Sequence, residues 1–171
     1  SHSSLLRSGL ATTLAILGAR GNDIPTTGNA TLEALARRTT AELLRSSDWK
    51  VWASLPLRLL AEAAPDEFLE AAERGVSGDG PFLLGLFRDN DTDLFTSAPH
   101  TDLLFALESL AWSREHFART ALVLAKLAGI DPGGRWANRP SNSLRSIFLP
   151  WDPQTTATLE ERFAALDLVR Q

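Results

Sequence analysis

Few side chains in this chain have the type and spacing for chemistry. His100 and Asp102, with Ser97 just upstream, are the residue types of a hydrolytic triad. Crowded at the start of a helical segment, they suit helix capping better than a positioned nucleophile and base. Glu115 and His116 could ligate a metal, but neighbouring residues on a helix point about 100° apart and do not readily share one ion. No His-x3-His or Glu-x2-His spacing occurs. The run DNDTD, Asp89 to Asp93, alternates oxygen ligands as a calcium loop does. Leu94 stands where that loop needs glycine, however, and His100 where it needs glutamate. No catalytic residue, metal ligand or cofactor is therefore expected. An enzyme would have to use a pocket between helices lined by His100, Asp102, Glu108 and His116.

A second stretch invites a binding role. DPGGRWANRPSNSLRSIFLPWDPQT, Asp131 to Thr155, holds four prolines, two tryptophans and three arginines between helical segments. Its Gly-Gly-Arg could offer backbone amides to an anion, but the lysine and hydroxyl of a P-loop are missing. Asp131-Pro132, Gly133-Gly134 and Asn138-Arg139-Pro140 read as turns, with Ser141 or Asn142 capping the next helix. Arg135, Arg139 and Arg145 are three cations beside one acid, Asp131. With Trp136, which sits in the glycine-rich loop, they are the candidate partner-binding residues. The other tryptophans (Trp49, Trp52, Trp112 and Trp151) are expected to fill gaps between helices, each N–H finding a partner.

The elements that must position these residues are helices throughout. The spacings predict helices over Ser4 to Ala19, with Leu6, Leu10, Leu14 and Leu17 as the apolar face, and over Ala30 to Arg45, with Leu32, Leu35, Ala36 and Leu43 inward. Trp49 and Trp52 open a third segment, Pro56 stands near the start of a fourth, and Pro65 begins PDEFLEAAERGV with acids in its first turn. PFLLGLF is a short apolar helix. Pro99 to Trp112 follows, capped by Ser97 or Thr96; then REHFARTALVLAKLAG, capped by Ser113 and closed by Gly129. After SNSLRSIFL, a capping box from Thr158 to Glu161 opens the last helix.

A weak repeat runs through this series. PDEFLEAAE, REHFARTAL and EERFAALDL each place an acid two residues before a phenylalanine. The acids are Asp66, Glu115 and Glu161; the phenylalanines are Phe68, Phe117 and Phe163, 49 and then 46 residues apart. Such a period with two helices per unit fits stacked helix pairs, none able to bury its apolar face alone. The expected fold is all-α, an antiparallel helical array of HEAT- or TPR-like α-solenoid type, one domain spanning 1–171.

Composition narrows the classes. At 171 residues, with 44% hydrophobic and 22% charged residues, a chain can bury roughly 70% of its unfolded surface. The net charge of -4 argues against general nucleic-acid or anionic-membrane binding. Without cysteine there is no disulfide or thiolate site. No run approaches the length of a membrane span, and a cytoplasmic location is expected. The chain holds no methionine, even at position 1, so it is expected to be one slab of a larger protein, with apolar surface at one or both ends.

The run from Leu103 to Thr155, with its WANRP and FLPW-x-PQT elements, resembles a helical segment that recurs in large bacterial proteins. WASLPLRLLAEAAPDEFLEAAE, from Trp52, and APHT, from Ala98, fit the same likeness. Those proteins resemble signal-transducing P-loop NTPases of the STAND type, in which helical repeats follow the ATPase and sense a trigger. The resemblance implies a non-catalytic scaffold or binding module, the sensor or regulatory arm of a signalling or defence ATPase. Its partner would be a protein or an adjacent domain of the same chain. The alternatives are a nucleic-acid sensor using Arg135, Trp136, Arg139 and Arg145, and the enzyme with a His100/His116 pocket.

Overall fold

The computed structural model describes residues 2–25, 30–87, 100–134 and 137–170. Among them every regular element is helical: α1 (His2–Arg20), α2 (Leu32–Leu43), α3 (Trp49–Ser54), α4 (Leu57–Ala63), α5 (Pro65–Gly75), a 3-10 segment (Phe82–Phe87), α6 (His100–Ala111), α7 (Phe117–Ile130), α8 (Pro140–Ile147) and α9 (Leu159–Val169). No helix among the described residues is long and apolar enough to cross a membrane.

Local chemistry explains several boundaries. Asp48 caps α3, its carboxylate accepting from the Lys50 amide at 2.9 Å. Pro65 fills the first position of α5, where a missing N–H costs nothing, and Asp66 and Glu67 face the positive end of the helix. Thr158 and Glu161 make the expected reciprocal pair: Thr158 Oγ1 accepts from the Glu161 amide at 3.3 Å, and Glu161 Oε2 accepts from the Thr158 amide at 2.9 Å.

Other expectations are corrected. Gly129 does not end α7, which runs through it to Ile130. The stop comes from Asp131, extended at φ -62°, ψ 120°, because the following Pro132 disfavours helical backbone before it. Ser113 does not cap α7 directly; residues 113–116 form a turn in which its carbonyl accepts from the His116 amide, and α7 starts at Phe117. Neither Ser141 nor Asn142 caps α8. Pro140 occupies the first position after Arg139, and Asn142 Nδ2 donates back to the Ala137 carbonyl.

The packing faces differ more. In α1 the buried residues are Ala11 and Ala15, whereas Leu6 and Leu10 are exposed and Leu14 and Leu17 only half-buried. Small side chains let the helix approach α4 closely: a Cβ on Gly18 would run into the Ala63 carbonyl. In α2, Ala36 and Thr40 are buried while Leu35 and Leu43 face out. Trp52 is fully buried among Phe68 and Phe82, its Nε1 donating to the Ser46 carbonyl at 2.9 Å. Trp112 and Trp151 are exposed, each in a connection beyond a helix end.

One core joins α3 to α9 and includes Leu57, Leu60, Phe68, Leu104, Phe117 and Leu124. Each such side chain contributes about 1.5–3 kcal/mol through burial. Contacts link α1 to α4, α4 to α6 and α6 to α8 in one series, and α2 to α5, α5 to α7 and α7 to α9 in another. The repeat pattern is satisfied in two units only. Phe68 and Phe117 are at most 1% exposed, but Phe163 is 57% exposed.

Candidate functional site

Of the four residues of the expected arginine face, two are described. Arg135 and Trp136 lie outside the described residues, as does the Asp89–Asp93 run with Ser97. Arg139 is turned inward: its guanidinium takes both carboxylate oxygens of Asp131, one from Nε at 2.8 Å, and lies over the Phe87 ring. Both side chains are almost wholly buried, so this pair ties the residue after α7 to the residue before α8. Arg145 is exposed in the last turn of α8.

The four residues of the enzyme reading have different surroundings among the described residues. His100 is buried, stacked on Phe87, with Nε2 2.9 Å from the Asn138 carbonyl. Glu108 accepts from Ser143 Oγ at 2.6 Å and so ties α6 to α8. Asp102 and His116 line a common cleft. Among the described residues no group of three histidines or carboxylates could hold a metal ion.

Two adjoining clefts lie among the described residues. The larger, about 780 Å³, runs between α4 and α6, with Pro56, Leu59 and Leu110 as apolar wall and Arg58, Glu62 and Asp102 as polar rim. The smaller, about 400 Å³, lies where α1 and α2 meet the α4–α5 junction and the turn before α7. Both are lined by Glu62, Pro65 and His116. Pro65 brings the chain sharply from α4 to α5, which sets Glu62 and Asp66 on the same opening.

An ion-pair network borders the smaller cleft. Arg37 Nε donates to Glu67 Oε1 at 2.7 Å and approaches Glu33 and Asp66 at 4.0 Å. Arg119 grips Glu73 with two donors, at 2.8 and 3.0 Å, and reaches Asp66 at 3.1 Å. The hydrogen bond to Glu67, then its charge, hold the Arg37 guanidinium above its ordinary value; the hydrogen bond to Glu73 does the same for Arg119 against partial burial. Pairs this exposed are worth about 0–1 kcal/mol each, so their effect is to fix α2, α5 and α7 in register.

Sequence reasoning missed this cleft because its acids come from four separate segments. A signal was present nonetheless. Asp66 and Glu115 hold the same position before their phenylalanines, and stacking α5 beside α7 puts both on one opening. Comparisons with protein-family models, curated proteins and solved structures found no match to this chain.

Proposed function

We propose that this chain is a non-catalytic helical-repeat module of HEAT-like, α-solenoid character that binds a protein partner or an adjoining domain. The observation that carries the reading is the double series of contacts, α1–α4–α6–α8 beside α2–α5–α7–α9. Chains built from stacked helix pairs bury their core between neighbours and leave one long grooved surface for recognition. The clefts between α4 and α6 and beside α5 lie on that surface. The resemblance in the Leu103 to Thr155 run supports a place in the sensing arm of a P-loop ATPase, where ligand binding would bias how helix pairs stack.

Deleting residues 140–171 tests the stacked-pair reading. A solenoid keeps α1–α7 folded, with a shallower denaturant slope in proportion to the lost surface. Loss of all helical circular dichroism on that deletion would mean a single indivisible core and would sink the proposal. The ATPase role is tested at the gene: a G-x-x-x-x-G-K-[ST] after a strand in the same reading frame supports it. A frame without one leaves a free-standing adaptor.

A further inference from the structure

The geometry points to the smaller cleft as a receptor for one arginine or lysine side chain of a basic peptide, with the peptide's apolar neighbours lying along the larger cleft. This rests on the binding-module reading and names its site and partner chemistry.

Charge is the first observation. Five carboxylates, of Glu33, Glu62, Asp66, Glu67 and Glu115, line the smaller cleft against one guanidinium, that of Arg37. Asp66 is also met by Arg119, and Glu33 accepts from Asn22. Glu62 and Glu115 are exposed and form no ion pair among the described residues. They are the uncompensated charges at the opening.

The second observation is independent of charge. His116 is 9% exposed and lines both clefts, yet its Nε2 is buried with no hydrogen-bond partner among the described residues. Buried polar atoms are nearly always satisfied, so an orphan at a cleft wall marks a place where a partner arrives. With its proton on Nδ1, a neutral imidazole presents Nε2 as an acceptor. Asp66 Oδ1, 3.7 Å away, is a second acceptor, shared with Arg119. Glu67 Oε2, which belongs to another residue of the cleft lining, is a buried oxygen with no donor among the described residues. Acceptors gathered in this way suit a group that is all donor, and ammonium and guanidinium are the side-chain groups of that kind.

The larger cleft decides between a peptide and a free cation. It shares Glu62, Pro65 and His116 with the smaller one and continues into the apolar wall of Pro56, Leu59 and Leu110. A peptide offers a cation and apolar side chains a residue or two apart; a polyamine offers no apolar branch.

The test uses the full chain and the capped peptide acetyl-Gly-Leu-Pro-Arg-Leu-Gly-amide, titrated by calorimetry and by the ring resonances of His116. The same peptide with citrulline in place of arginine keeps the shape and removes the charge. The arginine peptide is expected to bind at least tenfold more tightly than the citrulline peptide and to shift the His116 ring. The double variant Glu62→Gln, Glu115→Gln should weaken it at least fivefold, while Glu160→Gln with Asp167→Asn, an equal charge change on exposed α9, should leave it unchanged. Equal affinity for both peptides, equal loss in both double variants, or spermine binding as tightly as the arginine peptide would each overturn the assignment. No binding of the arginine peptide at millimolar concentration overturns it too. None of these outcomes touches the deletion of 140–171, which judges the binding-module reading separately.

Discussion

The α5–α7 pair and α9 carry the same local pattern, an acid two residues before a phenylalanine, and they end differently. In α5 and α7 the phenylalanines are sealed in the core, and Arg119 of α7 joins Asp66 and Glu73 of α5 into one network. In α9 the pattern is locally complete, with a full capping box, yet Phe163 faces outward beside Leu159 and Leu168, and Ala165 is the buried residue. A helix start is written in a few adjacent residues. Which face is buried depends on what is laid against it.

The sharpest break of this comparison is Phe117→Ala. Phe117 is 1% exposed and packs edge-on against Phe148 at 5.3 Å, so the truncation should cost about 3–5 kcal/mol, read from urea unfolding. A loss below about 1 kcal/mol would place Phe117 in the same category as Phe163. Gly18→Ala comes next, at about 1–3 kcal/mol, because the new methyl meets the backbone of Ala63 and nothing flexible can yield. Ordinary helix propensity would make the same change favourable, so the sign of the measured effect decides between them.

At α9 the expected losses are smaller and local. Thr158→Ala removes half of the capping box and should cost about 1 kcal/mol, visible as a lower helical signal and earlier fraying of α9. Glu161 is held below its ordinary value of 4.5, first by the Thr158 amide and then by Arg114. A carboxylate with a lowered folded value stabilises above its unfolded value and loses that effect as pH falls through the folded one. The stability difference between the parent and Glu161→Gln should therefore be complete above about pH 4.5 and shrink below it; a difference constant from pH 7 to 3 contradicts the assignment. Phe163→Ala should change stability by less than about 0.5 kcal/mol. A loss as large as that of Phe117 would reveal burial in solution.

Where signals are local, the sequence was legible. Pro65 with Asp66 and Glu67, and Thr158 with Glu161, announce helix starts because caps are made among residues one to three apart. The all-helical class followed from the same kind of sign. The faces of α1 and α2 were not legible, since leucine is the default guess for a buried position, yet alanine and glycine won wherever helices approach closely. Gly129 reads as a helix end, but glycine tolerates the helix interior, and Pro132, three residues on, supplies the stop. The cleft was the hardest to see. Glu33, Glu62, Asp66 and Glu115 are brought together only by stacking, and beside Glu115 in the sequence His116 reads as a candidate ligand, with nothing to signal Asp66 opposite it. Arg139 was legible as a cation and not as a buried one, because its partnership with Asp131 depends on the turn between them.

The seam of Ala11, Ala15 and Gly18 gives α1 an unusual kind of attachment. A helix held by bulky side chains loosens by degrees, one rotamer or one lost neighbour at a time. One held by near contact of two backbones has almost no intermediate distance at which it is still held, because dispersion attraction fades within an ångström or so. Such a seam tolerates no added volume along its line of contact, while the same helix, in place, already offers Leu5, Leu6, Leu10 and Ile16 to solvent as an apolar surface.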